Sequence, residues 1–231
     1  MGTYGQYCPI AKGAEILAER WTPLIIRDVM QGAHRFNDIE RGLPGISRSL
    51  LAGRLRQLLR AGVIEQRPGQ GGGYAEYHLT PAGRELGQVV DRLGEWAARW
   101  VFRDPDPEDR DPVLLMWWMH GRINRDLLPP RRVVVRFDFR RATKPCIWLV
   151  LERSDVSVCP TDPGFDTDLI VTADISDLYR VWLGRTTLGR AIEDGLIQID
   201  GPPALGRAFP RWLQLSHLAG AVRAAAVDSA R

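Results

Sequence analysis

Between residues 34 and 67 the chain carries seven arginines against three acids. A guanidinium is a planar fork that can hold phosphate oxygens or the O6 and N7 atoms of guanine, so this concentration of charge suits a polyanion. Four of the seven, Arg48, Arg54, Arg56 and Arg60, fall on one short segment with Leu51, Leu55 and Leu58. Wound at about 100° per residue, the leucines form a single apolar stripe. Ser49, Gly53, Arg56 and Arg60 lie opposite it, and Arg48 and Arg54 flank them. Ser47 has the side chain of an N-cap and Gly62 that of a C-terminal stop, which predicts a helix over 48–61. With a short helix (Phe36 to Leu43) and the Pro44-Gly45 turn before it, the segment has the form of a helix that reads a DNA major groove. A solvated amphipathic helix shows the same pattern.

Other chemistries find little support. Cys8, Cys146 and Cys159 are three in number with no Cys-x-x-Cys pair, which argues against a disulfide framework and a cysteine-based zinc site. His34, His78, His120 and His217 are scattered. His120 and His217 lack a matched nucleophile and carboxylate, and no Gly-rich phosphate loop joins a strand to a helix. Asp162, Asp166 and Asp168 lie in a turn-rich stretch. The expectation is a non-enzymatic protein without metal or cofactor.

The formal charge of +3 is unevenly placed, at +4 over residues 1–103 and −1 over 104–231. With 45% hydrophobic and 26% charged residues the composition is that of a globular protein. The longest apolar run, Val113 to Met119, falls far short of the roughly 20 residues that cross a bilayer. With no leader-like basic and apolar start either, the expected location is cytoplasmic and nucleoid-associated, with no membrane partner. Residues 104–112 are rich in proline and acid and read as a linker. They separate an N-terminal domain, 1–103, from a C-terminal domain, 113–231.

In the N-terminal domain, apolar residues from Ala14 to Met30 recur at helical spacing, with a break at Thr22-Pro23. Val63 to Arg67 and Tyr74 to Leu79 read as strands around a Gly-rich tip, a hairpin wing. Thr80-Pro81 then opens a helix to about Trp100. It is more apolar than a small domain needs, so Leu86, Val90, Leu93 and Trp96, with Ile16 and Leu17, are candidate dimerisation residues. Packing within one chain is the alternative.

These residues resemble the HxlR-type winged-helix regulators. The likeness runs through Cys8-Pro9, Glu19-Arg20-Trp21, Ile25-Ile26-Arg27, Arg35-Phe36, Asp38-Ile39, Pro44-Gly45-Ile46-Ser47, the three leucines, Ala61-Gly62-Val63, Glu76-Tyr77, Leu79-Thr80, Gly83-Arg84 and Trp96. It implies a mainly α winged helix-turn-helix. It also implies a homodimer that presents two recognition helices to successive major grooves of double-stranded DNA. By position Ser47, Arg48, Ser49, Ala52 and Arg56 form the reading surface, Arg35 anchors a phosphate, and the wing from Arg67 to Tyr74 lies along the backbone or minor groove. Arg48 and Arg56 are the residues suited to a bidentate guanine contact. In some relatives the cysteine before that proline senses oxidants or electrophiles. Cys8 matches it, with Lys12 the one near cation. An inert Cys8 buried under the N-terminal arm is the alternative.

The C-terminal domain reads as α+β. A helix is expected from Val113 to Leu128. Strands are expected at Arg132 to Phe139, Ile147 to Leu151, Val156 to Cys159, Leu169 to Thr172 and Leu196 to Asp200, forming an antiparallel or mixed sheet. Further helices follow Ser176, Thr187, Leu205 and Leu218. The stretch from Asp168 to Gly184, with Ala191-Ile192, Gly195, Ile197, Ile199 and Gly201, resembles the sterol-carrier-protein type-two fold. That implies a tunnel for a lipid or other apolar small molecule, which Trp117, Trp118, Trp148, Trp182 and Trp212 would line unless they are merely core.

Three functions fit the residues: a DNA-binding regulator responsive to an apolar effector, a carrier of that apolar ligand, and a thiol-based sensor using Cys8.

Overall fold

The computed structural model describes residues 3–69, 73–104, 106, 110–142 and 144–228. Two compact units are resolved, Met1–Gly94 and Glu95–Arg231. The division falls within a long helix, rather than at the linker expected over 104–112, of which 105 and 107–109 lie outside the described residues.

The first unit opens with α1 (Pro9–Leu17) and α2 (Thr22–Met30). The expected break between them is at Trp21, whose φ of 79° takes the chain out of the right-handed helix. Pro23 then sits in the first turn of α2, where it has no amide to leave unpaired. α3 (Phe36–Arg41) and α4 (Arg48–Arg60) follow. Gly45 makes the turn between them at φ +86°, a conformation that β-carbon sterics discourage in other residues. Ile25, Ile26, Val29, Ile39, Leu43, Leu51, Leu55, Leu58 and Ile64 close one core around these helices.

β1 (Ile64–Arg67) and β2 (Glu76–Leu79) pair antiparallel, from Ile64 opposite Leu79 to Arg67 opposite Glu76. The Gly-rich tip of the expected wing, 70–72, lies outside the described residues. The root of the hairpin is tied down twice: the Tyr77 amide donates to the His34 carbonyl at 2.7 Å, and the Thr80 amide to that of Val63 at 3.1 Å. Thr80 Oγ1 accepts from the Gly83 amide at 3.1 Å and donates to the Gly62 carbonyl at 2.6 Å. It thus caps α5 (Pro81–Trp100) and fastens it to the start of the wing.

The second unit is built on a five-stranded sheet ordered β5-β4-β3-β6-β7. The strands are β3 (Val133–Arg140), β4 (Cys146–Leu151), β5 (Val156–Cys159), β6 (Leu169–Asp174) and β7 (Ile197–Asp200). The sheet is mixed: β3 runs antiparallel to β4 and parallel to β6. Val133, Val135, Phe137 and Phe139 alternate into the core as their spacing predicts. They meet α6 (Pro112–His120), α7 (Ile175–Trp182) and α9 (Pro203–Trp212) through Met116, Leu178, Phe209 and Trp212. α8 (Leu188–Glu193) precedes β7, and α10 (Ala219–Asp228) ends the fold.

The helix expected over Val113 to Leu128 is much shorter. α6 stops at His120, and only a 3-10 turn, Arg125–Leu127, follows. The intervening residues pair with the distant segment at the end of α9 instead: Ile123 bridges Leu213, the Asn124 amide donates to the Trp212 carbonyl at 2.8 Å, and the Gln214 amide to that of Arg122 at 3.1 Å. Apolar periodicity continued past Gly121, but tertiary pairing claimed the backbone.

One buried group makes the first unit sensitive to pH. Asp28 accepts from Arg27 Nε at 2.8 Å, while its Oδ2 is buried without a hydrogen bond. A β-carbon on Gly42 would lie 2.2 Å from that oxygen, so the helix-turn-helix closes directly over the carboxyl. Burial pushes its pKa from 3.8 up to about 6, against the opposing pull of Arg27. Between these values the folded chain binds more protons than the unfolded one. Stability therefore falls as pH rises through this window, by at most roughly 3 kcal/mol. We expect Asp28→Asn to flatten this dependence. Thermal melting at pH 5 and pH 7 checks it, and an unchanged slope in the variant would refute the assignment.

Candidate nucleic-acid interface

α4 has one side committed and one side open. Ser47 Oγ accepts from the Leu50 amide at 3.3 Å, as an N-cap should. Leu51, Leu55 and Leu58 are buried, and their contact with the core sets the rotation of the helix. Ser47, Arg48, Ser49, Arg56 and Arg60 are then exposed, with Ala52 and Gly53 half-buried beside them. A β-carbon at Gly53 would meet open space, so the fold itself does not require a glycine there.

The arginines divide by what already holds them. Arg54, expected to flank the open face, is instead drawn inward. It pairs with Glu19 at 2.7 Å and donates to Gln57 Oε1 at 2.8 Å, with its side chain only 16% exposed. It fastens α4 to the turn between α1 and α2. Arg48 is exposed but engaged with α3: it ion-pairs with Glu40, donates to Asn37 Oδ1 at 3.2 Å and lies 4.8 Å over the Phe36 ring. A base contact from Arg48 requires release from those partners. Arg56 and Arg60 are exposed, and neither makes an ion pair among the described residues.

Arg35 stands at the N-cap of α3, largely exposed and 3.6 Å from Glu76 on β2. Arg67, at the end of β1, donates from Nε to Glu65 Oε1 at 2.8 Å. Together with α4 these side chains leave the first unit with basic groups on its helix, its α3 cap and its wing root.

The hairpin also joins two histidines that looked scattered in the sequence. His34 and His78 stack with ring centroids 4.1 Å apart. His34 Nδ1 lies 2.9 Å from the Tyr77 carbonyl, and His78 Nε2 lies 3.3 Å from Glu76 Oε2. Burial pushes the His34 pKa down against the pull of the Tyr77 carbonyl, and the stacked pair braces the root of the wing. No local spacing announces this pair, because it depends on how the hairpin crosses the residues before α3.

The candidate dimerisation residues separate. Ile16, Leu17, Leu86 and Val90 are partly buried against the first unit's own core. Leu93 and Trp96 are exposed, along with Val89 and Trp100 on the same helix. The side of α5 that faces outward is therefore the 89-93-96-100 stripe, one residue out of phase with half of the expected set. Cys8, at the N-cap of α1, is exposed rather than buried under the arm. Lys12 is held by Glu15 at 2.9 Å.

The five tryptophans expected to line a C-terminal tunnel do not converge. Trp212 is 2% exposed and packs edge-on against Phe209 in the core. Trp148 lies on the sheet face opposite the core-facing Ile147 and Leu149. Trp117 packs on His120 at 4.1 Å. Trp118 and Trp182 stack on each other at 5.7 Å, and of the five only Trp118 lines the cavity described below. No group of three His, Cys, Asp or Glu among the described residues is placed to hold a metal. No helix among them is long and apolar enough to cross a membrane.

Comparison with known proteins agrees with the form of the first unit. Residues 16–105 match the HxlR-like helix-turn-helix family. YvaP of Bacillus subtilis, a helix-turn-helix-type transcriptional regulator, is 33% identical over 102 residues, which are 42% of this chain and 91% of YvaP. A helix-turn-helix-type transcriptional regulator of Mycobacterium tuberculosis is 35% identical over 99 residues, covering 42% of this chain and 62% of the relative. Among solved structures, the reduced form of the transcriptional regulator YodB from B. subtilis has 32% sequence identity and a TM-score of 0.37, covering 42% of this chain and 96% of YodB. The chain belongs to the HxlR-like helix-turn-helix family of transcriptional regulators, through its N-terminal part.

Proposed function

We propose that the chain is a sequence-specific, homodimeric DNA-binding regulator whose operator affinity is set by a small molecule held in its C-terminal half. The observation that carries the DNA-binding part is the open side of α4. Three buried leucines and the Arg54–Glu19 pair hold the helix, while Ser49 and Arg56 face solvent with no competing ion pair on Arg56. α4 enters the major groove, Arg56 meets a base edge, and Arg35, Arg67 and the displaced Arg48 meet phosphates. The carrier reading explains the second unit alone and leaves this surface without a use.

Self-association is assigned to the exposed stripe of α5, since Val89, Leu93, Trp96 and Trp100 present large apolar side chains to water. The sterol-carrier likeness of the second unit rests on the sequence pattern, and the mixed sheet with helices on its core face is compatible with it. Thiol control through Cys8 is the second reading, favoured by the exposure of that residue. A quinone that releases DNA from the wild-type chain but not from a Cys8→Ser chain would establish it; equal release from both would exclude it.

Fluorescence anisotropy with promoter DNA from beside the protein's own gene tests the DNA-binding surface. We expect Arg56→Ala to lose about 1–3 kcal/mol of affinity for the specific site, roughly 5- to 150-fold, with little change in melting temperature. Arg54→Ala has the converse expectation, a lowered melting temperature from the broken Glu19 pair. If Arg56→Ala binds like wild type, α4 is not the reading element. Leu93→Glu places a charge in the proposed dimer stripe. Light scattering should show a fall from twice the 26.0 kDa chain mass to that mass, and a monomeric wild type would defeat the assignment.

A further inference from the structure

The second unit holds a cavity of about 240 Å³ between α6, α7 and the residues leading into α6. Its apolar wall is formed by Leu114, Leu115 and Trp118 from α6 with Ile175 and Tyr179 from α7. Trp118 is backed by Trp182, stacked on it with an interplanar angle of 11°, so one side of the space is a flat aromatic surface. The volume lies below the roughly 300–1,000 Å³ of pockets for drug-sized ligands, which limits the occupant to one or two rings.

The polar groups around this wall are unequally committed. Asp111 Oδ1 accepts from the Val113 and Leu114 amides at 2.8 and 3.3 Å and so caps α6. Asp104 is paired with Arg185 at 2.8 Å. Asp104 thus has an opposite charge beside it, and Asp111 Oδ1 is taken up by the first amides of α6. Arg110 Nη1 donates to Ser176 Oγ at 2.6 Å across the space. Arg180 also lines the cavity, is exposed, and makes no ion pair among the described residues. Burial pushes the Tyr179 pKa up to about 12, against the pull of Arg185, so its phenol remains a neutral hydrogen-bonding group on the cavity wall.

We infer that this cavity binds a small aromatic carboxylate, its ring against Trp118 and Tyr179 and its carboxylate on the Arg180 guanidinium. A planar guanidinium at the mouth of an apolar slot is suited to a carboxylate, while the flat wall favours a ring over a branched chain. The inference deepens the regulatory reading above, on which it rests for its biological role, by naming the class of effector. The cavity walls include residues 104 and 110–111, which lie between α5 and α6. Occupancy would thus bind to the stretch of chain that continues from α5.

Isothermal titration of the full chain with 1-naphthoate and phenylacetate, and with the uncharged phenylacetamide, tests the site. The expected result is saturable binding of at least one acid. Phenylacetamide and the Arg180→Gln chain should each show affinity lower by about tenfold or more. Leu114→Trp, which fills the slot, should abolish binding in a chain that still melts cooperatively. Binding of neither acid at millimolar concentration, or equal binding by wild type and Arg180→Gln, would overturn the assignment. DNA affinity of the saturated chain is measured in parallel. A change supports the effector role, whereas binding that follows Arg180 with unchanged DNA affinity removes the regulatory reading and leaves the site standing.

Discussion

The seating of α4 by Leu51, Leu55 and Leu58 is the contact on which the open basic face of the first unit depends. A helix of this length has little stability alone, and its rotation is decided by which face it buries. With the three leucines in the core, Ser47 closes the first turn, Arg54 turns inward to Glu19 and Arg56 turns outward. Changing one of these leucines to alanine costs about 2–5 kcal/mol in a typical core. Here it would also loosen the orientation of every side chain on the opposite face. The Gly45 turn and the carboxyl of Asp28 beneath Gly42 fix where α4 begins relative to α2 and α3.

That geometry gives the arginines different roles although their sequence setting is similar. Arg54 holds the helix in place. Arg48 is held against Glu40, Asn37 and Phe36, so any DNA contact from it would exchange one set of partners for another, at a net gain smaller than its charge suggests. Arg56 has no such exchange to make. The wing root is prepared by different means, a stack of His34 on His78 and reciprocal hydrogen bonding between residues 34 and 77.

Much of the first unit could be read from local pattern. The 51-55-58 stripe, the Ser47 cap, the Thr80 cap and the strand runs each depend on neighbours a few residues away, and those are what periodicity and capping rules describe. What escaped was decided at long range. Arg54 turns inward because Glu19 lies beside it in space. Leu86 and Val90 pack on the core while Leu93 faces out, a phase difference that composition does not show. Residues 122–124 leave the helical pattern to pair with 212–214, and the parallel pairing of β3 with β6 follows from topology rather than from either strand. The tryptophans were the least legible, because a large aromatic in the sequence marks burial without saying which space it borders. The Arg180 cavity had no sequence signal beyond an ordinary amphipathic helix.

The central claim is that two copies of α4 read successive turns of DNA, and hydroxyl-radical footprinting of the full chain on promoter DNA beside its own gene tests it most directly. The account predicts two protected stretches on one face of the duplex, separated by one helical turn, about 10 base pairs. Uniform cleavage at low salt, or a single protected stretch at saturation, would contradict it.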